Sequence, residues 1–442
     1  MFYEVSFFYN MTTLDKIYKQ FLEYPEVSTD SRSITPNSIF FALKGENFDG
    51  NKFAINAVES GARFALVDNA DIRHAKCIYV KDVLHTLQQL ATIHRDALGV
   101  KILAITGSNG KTTTKELIYS VLAKRMRVKA TQGNLNNHIG VPLTLLSITP
   151  ETEMAIIEMG ANHPGEIALL SGIAKPNYGL ITNIGRAHLG GFGSYEGVVK
   201  TKGELYEYLA INDGSVFYNP NNKILTDLIE KYNLSSKSIP YGLNEFKYQI
   251  VNESSIPFLN VIINNTTKGE AYSINTNLVG QYNLENVISA VTIGEYFGIP
   301  TRDIREAIET YTPSNSRSQY LKTSANTIIL DAYNANPTSM EASLNNFANI
   351  RGESKIAIIG EMLELGDYSK AEHKRIVELA NSLNFVTVLF VGKGFENMAP
   401  KNNYFATSDD CSAYLKSNPI VNATILVKGS RGVKLEKVLN VL

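Results

Sequence analysis

The sequence predicts an α/β protein of three domains. Three observations carry this: strand–turn–helix alternation in two separate blocks, a glycine-rich turn at the end of an apolar strand, and a length of 442 residues, against roughly 100–200 residues per domain. The expected division is a small mixed α/β domain over residues 1–98, a central parallel-sheet domain over 99–313 and a C-terminal doubly wound domain over 314–442.

In the first domain the patterning gives a helix at Leu14–Glu23 and short strands at Ser38–Leu43, Phe64–Val67 and Cys77–Val80. A helix over Leu84–Leu98 follows, closed by Gly99. From Lys101 apolar runs at Ile102–Ile105, Ala155–Ile157 and Gly179–Ile181 alternate with helical segments at Thr113–Lys124, His138–Ser147 and Gly165–Ile173, as parallel βαβ units do. Lys247–Leu278 alternates over short spans and reads as an antiparallel insert. Helices at Leu284–Phe297 and Arg302–Thr310 come next, and the turn residues of 311–316 mark a linker. The second block has strands at Thr327–Leu330, Ile356–Ile359, Thr387–Val391 and Thr424–Val427, with helices at Pro337–Ile350, Lys370–Ser382 and Val433–Leu439. This is the Rossmann-like signature.

Composition narrows the function. Lys and Arg number 42 against 43 Asp and Glu, so no whole-chain basic field for nucleic acid is expected. Cys77 and Cys411 are the only cysteines; they build neither a disulfide framework nor a thiolate zinc site. No apolar run reaches the ~18 residues of a membrane span. The first ten residues lack the basic start of a signal peptide. A cytoplasmic enzyme without membrane insertion is the expectation.

The strongest local signal is the run from Ile102 to Glu116, in which an apolar strand enters Thr106-Gly-Ser-Asn-Gly-Lys-Thr112 and then a helix. Backbone N–H groups of such a turn converge on phosphate oxygens, and the helix dipole favours the anion. Lys111 can reach the β- and γ-phosphates, and the Thr112 hydroxyl can ligand Mg²⁺. Ile105 stands where the usual motif has its first glycine, so the loop is a variant. The central domain is therefore expected to be a P-loop-type ATPase domain.

Three further groups lie downstream. Glu158 ends the Ala155–Ile157 strand, as a Mg²⁺ partner or as a solvated loop acid. His188, in Thr182-Asn-Ile-Gly-Arg-Ala-His188, is a metal ligand or a satisfied polar residue. Lys200 and Lys202 open a helix at Val199, where composition alone favours a solvated face.

The phosphate loop, Glu158-Met-Gly-Ala-Asn-His-Pro-Gly-Glu166, Asn183-Ile-Gly-Arg-Ala-His188 and Lys200-Thr-Lys-Gly-Glu204 together resemble the Mur ligase family. The resemblance continues at Asp331-Ala-Tyr-Asn-Ala-Asn-Pro337, Gly360-Glu-Met-Leu-Glu-Leu-Gly366 and Lys428-Gly-Ser-Arg-Gly432. It also covers Thr29-Asp-Ser-Arg32 and Ala42–Gly50, so it spans roughly Met11 to Leu442 in the family's order. Residues 1–10 have no counterpart, and their removal is expected to leave activity unchanged.

The resemblance implies an ATP-dependent ligase that adds D-Ala-D-Ala to UDP-MurNAc-tripeptide through an acyl phosphate. The cofactors it implies are ATP, two Mg²⁺ and CO₂ bound as a lysine carbamate; a monomer is the family expectation. It assigns Thr106, Gly107, Ser108, Asn109, Gly110, Lys111, Thr112, Thr113, Asn286, Arg317 and Asp331 to ATP. Mg²⁺ ligands would be Thr112, Glu158, His188 and carbamylated Lys202, with Lys111, Lys202, His188 and Glu158 as the catalytic set. Asp30, Ser31, Arg32 and Lys44 would hold the uridine diphosphate, with Asn134, Asn136 and Asn137 toward the peptide precursor. Tyr333, Asn334 and Asn336 would receive the dipeptide. The chain departs from the family at Tyr282, which replaces a frequent His, at Asn219-Pro-Asn-Asn222, which lacks the usual acids, and at Ser314-Asn-Ser, where glycine is common. Thr338 stands where the diamino-acid-adding ligase carries a carboxylate-gripping arginine. The rival readings are another Mur-type ligase, a folylpolyglutamate synthetase-like ligase, and, from other classes, a small-molecule kinase or a nucleotide-gated switch.

Overall fold

A computed structural model describes residues 12–241, 248–255, 257–265, 269–314, 316–350 and 354–442. The segment 1–10, Lys247 at the start of the antiparallel insert and Asn315 of the linker lie outside the described residues. Two compact units emerge, one of residues 1–103, 129–159 and 169–176, the other of 104–128, 160–168 and 177–442.

In the first unit, Val27–Ser28, Ile39–Phe41, Phe64–Val67 and Cys77–Tyr79 form a parallel sheet in that order. Phe40, Ala65 and Val67 pack with Ala54, Ala57 and Val58 of a short helix, Ala54–Glu59, that the sequence pattern did not announce. Thr12 caps the helix Thr13–Glu23 with a reciprocal Asp15 bond. Asp82 caps Val83–Leu98, and Gly99 ends that helix in the left-handed conformation at φ 62°, as expected.

In the second unit, Tyr178–Ile181, Ser215–Tyr218 and Ser238–Pro240 pair in parallel. The antiparallel insert is three strands, Tyr248–Ser255, Phe258–Asn265 and Glu270–Val279. The C-terminal sheet has six strands. The expected four form its parallel centre in the order Thr327–Asp331, Thr424–Lys428, Lys355–Gly360, Thr387–Val391. An antiparallel strand, Gln319–Lys322, and the short Tyr404–Phe405 flank them. Successive side chains point to opposite faces: Ile329, Ala357, Ile359, Phe390 and Leu426 enter one core, and Ile328, Leu330, Ile358, Leu389, Ile425 and Val427 the other. A sheet covered on both faces is why these strands read as unbroken apolar runs.

Two expectations are corrected. The helix expected at Val433–Leu439 is a pair of 3-10 turns, Arg431–Val433 and Leu435–Val441, separated by Lys434 at φ +58°; one left-handed residue cannot continue an α-helix. The helix carrying Lys200 and Lys202 runs from Tyr195 to Ile211 with Ser194 as its cap, so both lysines lie in its interior rather than at its start. No helix among the described residues is long and apolar enough to cross a membrane.

His373 anchors the segment Gly360–Gly366. Its Nε2 accepts from the Met362 N–H at 3.0 Å, and its Nδ1 donates to the Ser369 carbonyl at 2.7 Å. That fixes the neutral Nδ1–H tautomer. Burial pushes its pKa below the ordinary histidine value. A lowered folded-state pKa means the contribution is present above the unfolded value of ~6.5 and is lost as pH falls through the folded value. Thermal melts should therefore show stability declining below about pH 6.5. His373→Gln should be less stable at neutral pH, with a shallower decline; equal slopes would argue against this role.

Candidate functional site

The strand Lys101–Thr106 delivers its last residue, fully buried Thr106, into the glycine-rich loop. Gly107 sits at φ +141°, and a Cβ there would fall 2.1 Å from Thr182 Oγ1. Gly110, at φ +80°, caps the helix Lys111–Leu122, and a Cβ there would fall 2.7 Å from Asn286 Oδ1. Both positions demand glycine for conformation and for space.

Side chains from three distant segments hold this loop. Ser108 N–H and Asn109 N–H donate to Asn183, at its carbonyl (2.9 Å) and its Oδ1 (3.0 Å) respectively. Thr182 Oγ1 and Asn183 Nδ2 donate to the Asn109 carbonyl at 2.6 and 3.0 Å. The Ser108 hydroxyl contacts Gly185 N and O. From the helix Leu284–Tyr296, Asn286 Oδ1 accepts from Thr114 Oγ1 at 3.0 Å, and its Nδ2 donates to Asn283. Asn336 Nδ2 donates to Asn109 Oδ1 at 2.7 Å. With the Ser108 and Asn109 amides engaged by Asn183, the helix start at Lys111, Thr112 and Thr113 is the part of the loop whose dipole favours an anion. Lys111 Nζ donates to the Gly107 carbonyl at 2.7 Å, and the Thr112 side chain is buried.

Lys202 is 2% exposed, whereas Lys200 on the same helix is exposed, which corrects the solvated-face alternative for Lys202. Burial first, then the like charge of Lys111, pushes the Lys202 pKa well below the ordinary lysine value, while Glu166 and Glu204 oppose the shift. Those two carboxylates are spent on backbone amides: Glu166 on Asn162 and His163, Glu204 on Gly165 and Ala168. No hydrogen bond or ion pair among the described residues reaches Lys202 Nζ; the Phe192 ring lies 5.6 Å away. The signal was in the sequence. Val198, Lys202, Leu205 and Leu209 follow the 4-3-4 spacing of a single buried helix face.

His188 adopts φ +52°, and its Nδ1 faces the Glu364 carboxylate at ion-pair distance. Glu364 is held below the usual carboxylate range by that contact. It was not singled out from the sequence, although it lies in the quoted Gly360–Gly366 run. Arg186 continues the line, with Nη1 3.0 Å from buried Glu372, which also accepts from Arg375.

Asp331 pairs with buried Lys428 at 2.5 Å and accepts from Ser318 N. The Arg317 guanidinium lies over the Tyr333 ring at 3.7 Å from its centroid, and Arg431 at 5.4 Å. Asn334 is exposed and accepts from Ala335 N; Asn336 also caps Pro337–Asn349. Thr338 Oγ1 accepts from Arg186 N at 3.1 Å. Tyr282, in place of the frequent His, bonds Ser318 at 2.8 Å.

In the first unit, Glu158 is buried at the end of Met154–Glu158. Its backbone N donates to Thr131 Oγ1, and its Oε1 accepts from Asn136 Nδ2 at 2.9 Å. Asn137 Oδ1 accepts from Ile139 N and Gly140 N just ahead of the helix Gly140–Leu146, and Asn134 is exposed. Arg32 folds onto Asp30 at 2.6 Å and holds that carboxyl near a pKa of about 2. Ser31 between them is half-buried. Lys44 pairs with Asp68 at 2.8 Å.

The family model described as the Mur ligase family, catalytic domain, matches residues 23–104; the Mur ligase middle domain matches 105–294, and the Mur ligase, glutamate ligase domain, matches 316–431. The UDP-N-acetylmuramoyl-tripeptide–D-alanyl-D-alanine ligase of Bacillus subtilis (strain 168) is 35% identical over 429 residues, 93% of this chain and 92% of the relative. The chain belongs to the Mur ligase family. The Escherichia coli (strain K12) ligase of the same name is 33% identical over 94% of this chain and 93% of its own length. The MurF structure from Acinetobacter baumannii superposes with a TM-score of 0.84 at 30% identity, covering 94% of this chain and 92% of that one. MurF ligase from Thermotoga maritima, solved in complex with ADP, shares the fold at a TM-score of 0.82 and 23% identity, over 94% and 96% of the two chains. The fold is the three-domain α/β Mur ligase fold.

Gly107→Ala should weaken binding of a non-hydrolysable ATP analogue at least about tenfold, since strain and a clash with Thr182 both displace the loop. Calorimetric titration checks this; unchanged affinity would remove the loop from the nucleotide site.

Proposed function

We propose that the chain joins D-Ala-D-Ala to UDP-MurNAc-tripeptide at the expense of ATP, releasing ADP and phosphate. The Asn336–Asn109 hydrogen bond is the observation that carries it: one bond ties the phosphate loop to the segment assigned to the incoming dipeptide. Full-length relatives that carry this activity in their names support it. The proposed domains are residues 1–98 for the UDP precursor, 99–313 for ATP, and 314–442 for the dipeptide and part of ATP. A cytoplasmic monomer is proposed with it.

A carboxylate is a poor acyl donor because its leaving group would be oxide. Phosphorylation by the γ-phosphoryl of ATP gives an acyl phosphate, and the dipeptide amine attacks the carbonyl and expels phosphate. Two anions must meet, so charge neutralisation dominates catalysis. Lys111 and the helix start at Thr112 and Thr113 take the phosphates. Asn286 and the remaining loop residues hold that cradle in shape, with Arg317 and Asp331 on the nucleotide's other end. Asp30, Ser31, Arg32, Lys44, Asn134, Asn136 and Asn137 are proposed for the UDP precursor, and Tyr333, Asn334 and Asn336 for the dipeptide.

The residues also fit Mg²⁺. Mg²⁺ keeps water and phosphate oxygens in its shell and takes only one or two protein oxygens in such sites. Thr112 and Glu158 are proposed as ligands. His188 fits another: its Nδ1 lies beside the Glu364 carboxylate, and a carboxylate on that side of the ring leaves Nε2 for a metal, the usual orienting arrangement. Bound Mg²⁺ would neutralise charge on the transferring phosphoryl group. Buried Lys202 fits a carbamate, because an amine with no counter-ion among the described residues gains an anionic oxygen ligand by taking up CO₂.

ADP release should require both UDP-MurNAc-tripeptide and D-Ala-D-Ala; release without the dipeptide, or a phosphorylated small-molecule product, would favour a switch or a kinase. Lys111→Ala should abolish turnover. Lys202→Ala should lose most activity, with partial rescue by acetate, while Lys200→Ala stays near native. A full rate for Lys202→Ala in CO₂-depleted buffer would exclude the carbamate.

A further inference from the structure

The motif Lys428-Gly-Ser-Arg-Gly432 leaves one member without a task. Lys428 neutralises Asp331, and the Ser430 hydroxyl bonds Leu363 N and the Ala335 carbonyl. Arg431 is exposed, and no ion pair among the described residues engages it or Arg317. Both guanidinium groups lie over the Tyr333 ring. Three segments meet here, beyond the carboxyl ends of Thr327–Asp331 and Thr424–Lys428 and at the start of the antiparallel Gln319–Lys322, with Tyr333 N donating to Ser316 O at 3.2 Å. Ligands of open α/β sheets bind at such strand ends. Asp331, at the end of one of these strands, is paired with Lys428, and no ion pair among the described residues neutralises the two arginines.

Resting on the ligase reading, we propose that Arg431, braced on Tyr333, binds the terminal carboxylate of the incoming dipeptide. The amine of that substrate reacts; its carboxylate does not, and needs a cation held away from the phosphates. The spacing suits this division. Asn336 touches the phosphate loop, and the backbone from Asn336 back to Tyr333 covers at most roughly 10 Å, while an extended dipeptide spans roughly 7 Å. A guanidinium matches a carboxylate with two parallel hydrogen bonds, and stacking on an aromatic ring pre-orients its plane. The phosphates already have Lys111 and a helix start, which leaves Arg431 to the dipeptide.

The test compares D-Ala-D-Ala with its C-terminal carboxamide in the complete ligation assay. The native enzyme should prefer the carboxylate by about 30-fold or more in kcat/KM, and Arg431→Ala should reduce that preference to within about threefold. KM for D-Ala-D-Ala should rise, with KM for ATP unchanged. Arg431→Gln, which keeps most of the side-chain contact with Tyr333, should behave likewise and guards against a folding defect. Preference retained in both variants, or a rise confined to KM for ATP, would overturn this inference while leaving the ligase reading intact. Absence of ligation by the native enzyme with either dipeptide would overturn both.

Discussion

The phosphate loop is held from outside by amide side chains. A cradle made of backbone dipoles stabilises an anion only if those dipoles are oriented before it arrives. Here Asn183 and Thr182 fasten Ser108 and Asn109, Asn286 closes against Gly110, and Asn336 reaches Asn109 from the C-terminal part of the chain. The left-handed glycines exist because this collar leaves no room for a Cβ. In the proposed reaction the chemistry follows from the collar, since it would fix where phosphate binds and therefore where a carboxylate and an amine must be presented.

Two fully buried lysines show how charge is managed around it. Lys428 faces Asp331 at 2.5 Å, a paired charge that also brings together the ends of two parallel strands. Among the described residues Lys202 has no such partner: Glu166 and Glu204 are turned to backbone amides. An isolated buried ammonium is costly, so a lysine left in that state gains by changing its chemistry. The proposed carbamate does this and converts a cation that would repel Mg²⁺ into a ligand for it. Glu364, beside His188 Nδ1, would orient that proposed neighbouring ligand.

Much of the fold was legible because its determinants are local. Unbroken apolar runs marked the strands covered on both faces, and Gly99 marked a helix end. The loop, too, was written in consecutive residues. What escaped depends on pairs far apart in sequence: Asn336 with Asn109, His188 with Glu364, Arg186 with Glu372. No periodicity encodes such contacts. The C-terminal turns misled because an amphipathic stretch was read without the left-handed Lys434. Lys202 could have been separated from Lys200 by its place among Val198, Leu205 and Leu209, a spacing that composition alone hides.

The central claim is that the loop presents the γ-phosphate of ATP to the precursor carboxylate. Oxygen-18 in that carboxylate follows the claim atom by atom, because the oxygen that attacks phosphorus leaves with it when the amine displaces phosphate. One labelled oxygen is expected in each inorganic phosphate released during ligation. Unlabelled phosphate, with the oxygen lost from the carboxylate found in water instead, would contradict the acyl-phosphate route and the role assigned to the loop.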